Sequence, residues 1–138
     1  MDLIRLTQDQ DLYVQRGAAD ALGPSFALLP DKEQGWKDLH RLTQDEDSEV
    51  RRGAAKALGS SFSHLPDKDE GWKALLRLTQ DHSFVREGAA HALGSSFSLL
   101  LDKEKGWKVL LRLAQDDDSG VRMHAYHSLG RASIYKAS

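Results

Sequence analysis

Two histidines near the carboxyl end of the chain have a spacing that could serve metal binding. His124 and His127 are three residues apart, so on a helix both would project from the same side. Imidazole nitrogen is a common ligand of divalent transition metals, but a stable site needs three or four convergent ligands. No third ligand lies close by in the sequence. We therefore expect no metal site and no other cofactor.

Three tryptophans recur at nearly equal intervals and could form a ladder that stacks on bases or sugars. Trp36, Trp72 and Trp107 each precede leucines by three and four residues, a helical spacing that places them on one apolar face. This favours core packing over ligand stacking. Four arginines also recur, and acidic neighbours favour a solvated, salt-bridged outer face over a basic stripe. They are Arg5, Arg41, Arg77 and Arg112.

The composition argues against several classes of function. The chain has no cysteine, and no serine lies in a nucleophile-elbow motif, so we expect no enzyme. A net charge of −2 gives no positive field for nucleic acid. No apolar run is long enough to span a bilayer, and Met1 to Arg5 lacks the apolar core of a signal peptide. We expect no nucleic acid, no membrane, and a cytoplasmic location.

The elements that position these residues form an internal repeat. Leu6, Leu42, Leu78 and Leu113 begin similar segments that are 36, 36 and 35 residues apart, a period typical of stacked helical pairs. Alanines, glycines and tryptophans recur in the same register. The shorter third period comes from the loss of one residue between Asp81 and Val85, where we expect a turn.

Each copy contains two apolar stripes of helical period, so the sequence predicts an all-α fold with two helices in each repeat. We expect a single domain, 1–138, with repeats at about 1–29, 30–65, 66–100 and 101–138. The eight predicted helices are Met1 to Gln8, Asp11 to Leu29, Asp31 to Gln44, Asp47 to Leu65, Asp67 to Gln80, His82 to Leu100, Asp102 to Gln115 and Asp118 to Tyr135. Leu3, Ile4 and Leu6 would form a thin N-terminal cap.

Particular residues carry specific structural predictions. Ser48 is a suitable N-cap for the second helix of its repeat. Glycine within a helix costs about 1 kcal/mol relative to alanine, so Gly53 and Gly59 indicate close packing between helices. Three phenylalanines continue the apolar stripes and should be buried. They are Phe26, Phe62 and Phe97, and the fourth copy has Ser133 at this position.

The pattern from Asp45 through Val50 and Arg51 to Ala57, Leu58 and Gly59 resembles the HEAT-like repeat, in particular the short variety of phycobilin lyases. The resemblance implies an α-α superhelix, or solenoid, of four helical pairs with the second helices on the concave face. It also implies an inter-repeat ladder of Asp45, Asp81 and Asp116 with Arg51, Arg86 and Arg122. In the first copy Val14 is followed by Gln15, so this rung lacks its arginine. The fold serves adaptors, transport receptors, lyases and DNA repair enzymes.

The copies differ most at solvent-side positions of the second helix, although their apolar positions are nearly the same. These positions are one, two or three turns apart, so stacking places them on one surface. We predict that this surface binds a protein or peptide through Tyr13, Arg16, Asp20, Glu49, Arg52, Lys56, Phe84, Glu87, His91, Met123 and His127. Neutral drift of an unselected face is the competing interpretation. Alternative functions are a structural spacer or oligomerisation fragment and, with less support, a lyase or DNA glycosylase-like enzyme.

Overall fold

A computed structural model describes residues 12–136, which form helices and turns without any β-strand. This confirms the predicted all-α repeat, and in the second, third and fourth copies a short first helix precedes a longer second helix. The predicted first helix, Met1 to Gln8, and its cap lie outside the described residues. The described α-helices are α1 Leu12–Ser25, α2 Lys32–Leu42, α3 Ser48–Ser61, α4 Lys68–Leu78, α5 Ser83–Ser96, α6 Lys103–Leu113 and α7 Ser119–Lys136.

The starts of the second helices α3, α5 and α7 are each set by one side chain in the preceding turn. In α3 this N-cap is Asp47, whose Oδ1 accepts a hydrogen bond from the backbone N–H of Val50 at 3.0 Å. The prediction of Ser48 as the cap was wrong, because the carboxylate one residue earlier reaches the free amide and Ser48 is already helical. In the shortened third copy, His82 takes this place and accepts from the N–H of Phe84 through Nδ1.

The second helices α1, α3 and α5 end earlier than predicted, whereas α7 extends to Lys136, about as predicted. The chain leaves α3 at Ser61 and makes a 3-10 turn over Phe62–His64, so the predicted end at Leu65 was wrong by about one turn. The same correction applies to the predicted ends at Leu29 and Leu100. Leu65 is extended and buried beside Phe62 in the core, and the residue before a proline avoids helical geometry.

The helices form two layers, and the second helices pack side by side in one of them. Successive second helices meet along their backbones far more extensively than successive first helices do. Gly59 shows why: a Cβ atom there would lie 2.7 Å from the Cα atom of Ala92 in α5. At Gly53 a Cβ would lie 3.2 Å from the Cβ of Ala19 in α1. The predicted close packing at both glycines is therefore confirmed.

Aromatic side chains fill the space between the two layers. Phe26, Phe62 and Phe97 are fully buried, as predicted. Trp36 is buried, whereas Trp72 and Trp107 are partly buried and pack against the same core. The interpretation of the tryptophans as core residues is confirmed. Trp36 also joins two repeats, since its Nε1 donates a hydrogen bond to Glu70 at 2.9 Å.

Ion pairs join the turns of neighbouring repeats. Arg51 donates two hydrogen bonds to Asp81, at 2.9 and 3.0 Å, and Arg86 donates two to Asp116, at 2.9 and 2.8 Å. Burial alone would raise the pKa of Asp81, but the bonds from Arg51 and from the backbone hold it below its ordinary value. The bond from Arg86 likewise lowers the pKa of Asp116. Two rungs of the ladder implied by the resemblance are thus present. Arg122 instead donates to the backbone carbonyl of Asp116.

Candidate binding surface

The solvent side of the second helices is here named the second-helix face. The structure places all eleven predicted site residues on it, either exposed or half-buried. Going from α1 to α7, these residues are Tyr13, Arg16, Asp20, Glu49, Arg52, Lys56, Phe84, Glu87, His91, Met123 and His127. Helix periodicity arranges them in short rows that run across the stacked helices.

A groove of about 380 Å³ lies at the centre of this face. Helix α3 forms its floor, where Gly53 and Ala57 let the neighbouring helices approach. Its charged lining comes from Asp20 of α1, from α3 and from α5. The lining polar side chains are Asp20, Glu49, Arg52, Lys56, Ser60, His91 and Ser95. The groove therefore brings together five of the predicted site residues and mixes acidic with basic groups.

Arg52 is held at this groove by an aromatic ring. Its guanidinium carbon lies 4.2 Å from the centroid of Phe84 in the next second helix, a cation-π distance. The Nε atom of Arg52 is buried and has no hydrogen-bond partner among residues 12–136. Stacking thus fixes the position of the side chain without satisfying its donors.

Arg16 occupies the equivalent position in the first copy, but it is bound within the fold. It donates two hydrogen bonds to Asp47, at 3.0 and 2.8 Å, and its guanidinium lies 5.6 Å from the Tyr13 ring. The bond from Arg16 lowers the pKa of Asp47. Arg16 therefore supplies the inter-repeat pair for which Gln15 offers no cation. The acidic turn at 45–47 was the sequence signal for this pairing.

Basic side chains gather at the carboxyl-terminal side of the groove. His91 and His124 meet edge to face with ring centroids 6.1 Å apart. Burial, together with the charges of His124, Lys56, Arg131 and His127, holds the pKa of His91 below its ordinary value. Sequence reasoning missed His124 as part of this surface, although its place in the register of Gly17, Gly53 and Gly88 was a signal. Within residues 12–136 no three potential ligands converge on a metal site.

Other parts of the face differ in character. A carboxylate oxygen of Glu87 lies against Gly120 near the start of α7, in the space that a Cβ atom at position 120 would occupy. Met123 is 62% exposed beside it. On α7, sequence reasoning missed three exposed apolar side chains, Tyr126, Ile134 and Tyr135. The signal for Tyr126 was its alignment with the buried Ala19, Ala55 and Ala90 of the other copies.

The arginines of the first helices have partners on the opposite side of the protein. Arg41 pairs with the buried Asp38 at 2.7 Å, whereas Arg77 contacts a ring nitrogen of His40 at 3.1 Å. Arg112 donates to the hydroxyl of Thr79 at 3.3 Å. The predicted salt bridge therefore holds for Arg41, and the other two described arginines have neutral or titratable partners. Arg5 lies outside the described residues.

Comparison with known proteins supports this architecture. The family model described as HEAT repeats matches residues 2–94. Similar solved structures include two crystal structures of engineered proteins from the Northeast Structural Genomics Consortium. The first is 27% identical with a TM-score of 0.72 and covers 95% of this chain and 61% of its own. The second is 27% identical with a TM-score of 0.67 and covers 96% and 62%.

The present chain therefore spans about three fifths of the length of these two structures. No curated protein matches the sequence. Among the helices of residues 12–136, none combines the length and the apolar composition needed to cross a membrane.

Proposed function

Because this chain belongs to the HEAT-repeat family, we propose that it is a non-enzymatic interaction scaffold that binds a peptide or protein surface on its second-helix face. The observation that carries the proposal is the central groove, which is lined by residues that differ between copies. Asp20, Lys56 and His91 hold the same place in three repeats, yet they differ in charge. The alanines that precede them, Ala19, Ala55 and Ala90, are the same in these three copies and are buried.

Curvature supports this choice of face. The second helices approach closely through glycine and alanine, whereas the first helices carry tryptophan and leucine at their packing surfaces. In a stack of helical pairs, the more closely spaced layer lies on the inner side of the curve. We infer that the second-helix face is concave, which lets an extended partner touch several repeats at once.

The side chains of this face also suit a protein partner. Tyr13 is 80% exposed and Met123 is 62% exposed, and both residue types are enriched at protein interfaces. Asp20 and Glu49 line the same groove as Arg52 and Lys56, so a polyanion would meet repulsion along its path. This charge mixture favours a protein or peptide over the DNA that a glycosylase would bind.

The alternative function, a structural spacer or oligomerisation fragment, is supported by side chains of the last helix, α7. Tyr126, Ile134 and Tyr135 expose apolar surface there, away from the central groove. If association occurs through this end, substitutions in the groove will not affect it. Sedimentation measurements on a Tyr126→Ser, Ile134→Ser variant separate this role from partner binding.

Photo-crosslinking tests the proposed function. A benzophenone amino acid placed at Tyr13 or Met123 should capture a partner in cell extract, and mass spectrometry should identify it. The same group at Arg77, on the first-helix side, is the matched control. The affinity of the captured partner is then measured in purified form. Phe84→Ala should weaken binding by about 1 to 3 kcal/mol and barely change the melting temperature. Loss of binding only in a variant of Arg41, Arg77 and Arg112 would refute the proposal.

A further inference from the structure

The arginine at the centre of the groove is an unusual side chain for a folded protein. Arg52 is half-buried, and its Nε has no hydrogen-bond partner within the described residues. The contact that positions it is the Phe84 ring at 4.2 Å. A ring face offers no acceptor oxygen in the plane of a guanidinium, so the contact leaves the buried Nε without a hydrogen bond.

Because Nε is itself buried, a ligand that enters the groove would pair with the two terminal nitrogens of Arg52. Guanidinium presents five N–H donors in a rigid planar fork that matches the two oxygens of a carboxylate. Restriction of the side chain by Phe84 also lowers the entropy cost of forming such a pair. Arg52 is therefore prepared for an oxyanion ligand.

The surroundings of Arg52 define where that ligand would lie. Lys56 follows one turn later on α3, and His91 lines the groove from α5. Arg131 of α7 adds a positive charge beyond His91. Asp20 of α1 and Glu49 at the start of α3 line the same groove. Glu87 of α5 lies against Gly120 instead. The positive charges in the groove thus come from Arg52 and Lys56 of α3, and its negative charges come from Asp20 and Glu49.

We propose that this groove binds an acidic peptide segment of the partner, with one carboxylate side chain paired to Arg52 and flanked by Lys56 and His91. This inference deepens the proposed binding function and rests on it. A single fork beside a short positive patch suits one or two carboxylates. A nucleic acid strand, by contrast, would have to bring successive phosphates past Asp20 and Glu49.

Fluorescence anisotropy with defined probes tests the inference. The first probe is a C-terminally amidated octapeptide of glycine and serine that carries an uncharged fluorophore and two glutamates, and the second has glutamine in their place. The glutamate probe should bind at least about tenfold more tightly, because only a carboxylate pairs with the fork. Arg52→Gln should reduce that affinity by about tenfold or more. Arg77→Gln removes the same charge from the first-helix side and should change it less than about twofold.

A second variant separates the effect of the bidentate guanidinium geometry on binding from the effect of its positive charge. Arg52→Lys keeps the positive charge but loses the bidentate geometry, so it should bind the glutamate probe nearly as poorly as Arg52→Gln. Urea denaturation of each variant identifies any loss that comes from misfolding. Equal binding of the two probes would overturn the inference, as would wild-type affinity in Arg52→Lys. Tighter binding of an eight-nucleotide oligothymidine than of the glutamate probe would also overturn it, in favour of nucleic acid.

The captured protein partner distinguishes failure of this inference from failure of the proposed function. If Phe84→Ala weakens partner binding while Arg52→Gln leaves it unchanged, the acidic ligand is wrong and the interaction surface stands. If neither substitution affects the partner, both proposals fail. If both substitutions weaken it and the glutamate probe competes with the partner, both are supported.

Discussion

A pair of equivalent glycines gives the sharpest test of how the repeats pack. Gly59 in α3 and Gly130 in α7 occupy the same place in the repeat, and neither has a positive φ angle. A Cβ atom at Gly59 would lie 2.7 Å from the Cα of Ala92 and 2.8 Å from its Cβ. At Gly130, apart from its chain neighbours and the adjacent backbone of α7, no atom of the described residues lies within 4 Å of the corresponding point. The same substitution to alanine should therefore have opposite effects at the two sites.

Two opposing contributions determine how much each substitution changes the unfolding free energy. Alanine is favoured over glycine inside a helix by about 1 kcal/mol, and this gain applies at both positions. At Gly59 the new methyl group meets backbone, so α3 and α5 must separate by about 1 Å to restore an ordinary carbon–carbon distance of about 3.5 to 4.0 Å. Overpacking of this kind costs about 1 to 3 kcal/mol, and contact with backbone favours the upper end. We expect Gly59→Ala to destabilise by about 1 to 2 kcal/mol and Gly130→Ala to stabilise by up to about 1 kcal/mol.

Guanidinium denaturation followed by circular dichroism measures both changes. The quantity compared is the unfolding free energy extrapolated to water, with the slope against denaturant checked for constancy. If Gly59→Ala is as stable as the original protein, the second helices are not packed at backbone distance. If Gly130→Ala is destabilising, the carboxyl-terminal face of α7 has a neighbour.

Three further predictions concern stability. Phe62→Ala should lower the unfolding free energy by about 3 to 5 kcal/mol, because the ring is 1% exposed; an unchanged denaturation midpoint would show that the assigned helix phase is wrong. Acid should destabilise the protein below about pH 4: the folded pKa values of Asp81 and Asp116 are lowered, so their contribution is complete at neutral pH and is lost as the pH falls through those values. Urea titrations across this pH range should show that the unfolding free energy of Arg86→Gln depends less on pH than that of the original protein. The last turns of α7 should exchange amide hydrogens before those of α3, because Ser133 replaces the buried phenylalanine of the other copies; uniform protection as far as Tyr135 would contradict this.

The sequence predicted the elements of this fold well because its repeats display the apolar stripe several times. Phe26, Phe62 and Phe97 were assigned to the core correctly, since each continues a helical period that neighbouring leucines already define. The helix ends were harder to predict. Ser61 and Phe62 show no break in apolar pattern, although Pro66 disfavours helical geometry at Leu65, which is extended and buried in the core.

The candidate surface could be located from sequence, but its internal pairings could not. Variation between copies selected positions that the structure places on one solvent-facing side. Which side chains of neighbouring helices contact each other depends on how far the helices are displaced along their axes. The residue pattern of a single helix does not specify this displacement. The stacking of Arg52 on Phe84 and the pairing of Arg16 with Asp47 are both interhelical and were not predicted.

The different partners of Arg16 and Arg52 explain why the anion-binding group that we propose lies on α3. One cation in each of the first three copies is used to join the repeat to the next turn, and in α3 and α5 this is the arginine that follows the helix valine. In α1, Gln15 stands at that position, so the arginine one residue later turns to Asp47. Helix α3 has two consecutive arginines after Val50, and Arg51 already holds Asp81. Arg52 is therefore not needed for the ion pair between repeats. Its stacking on Phe84 holds a positive guanidinium at the groove, where the repeat architecture does not require one.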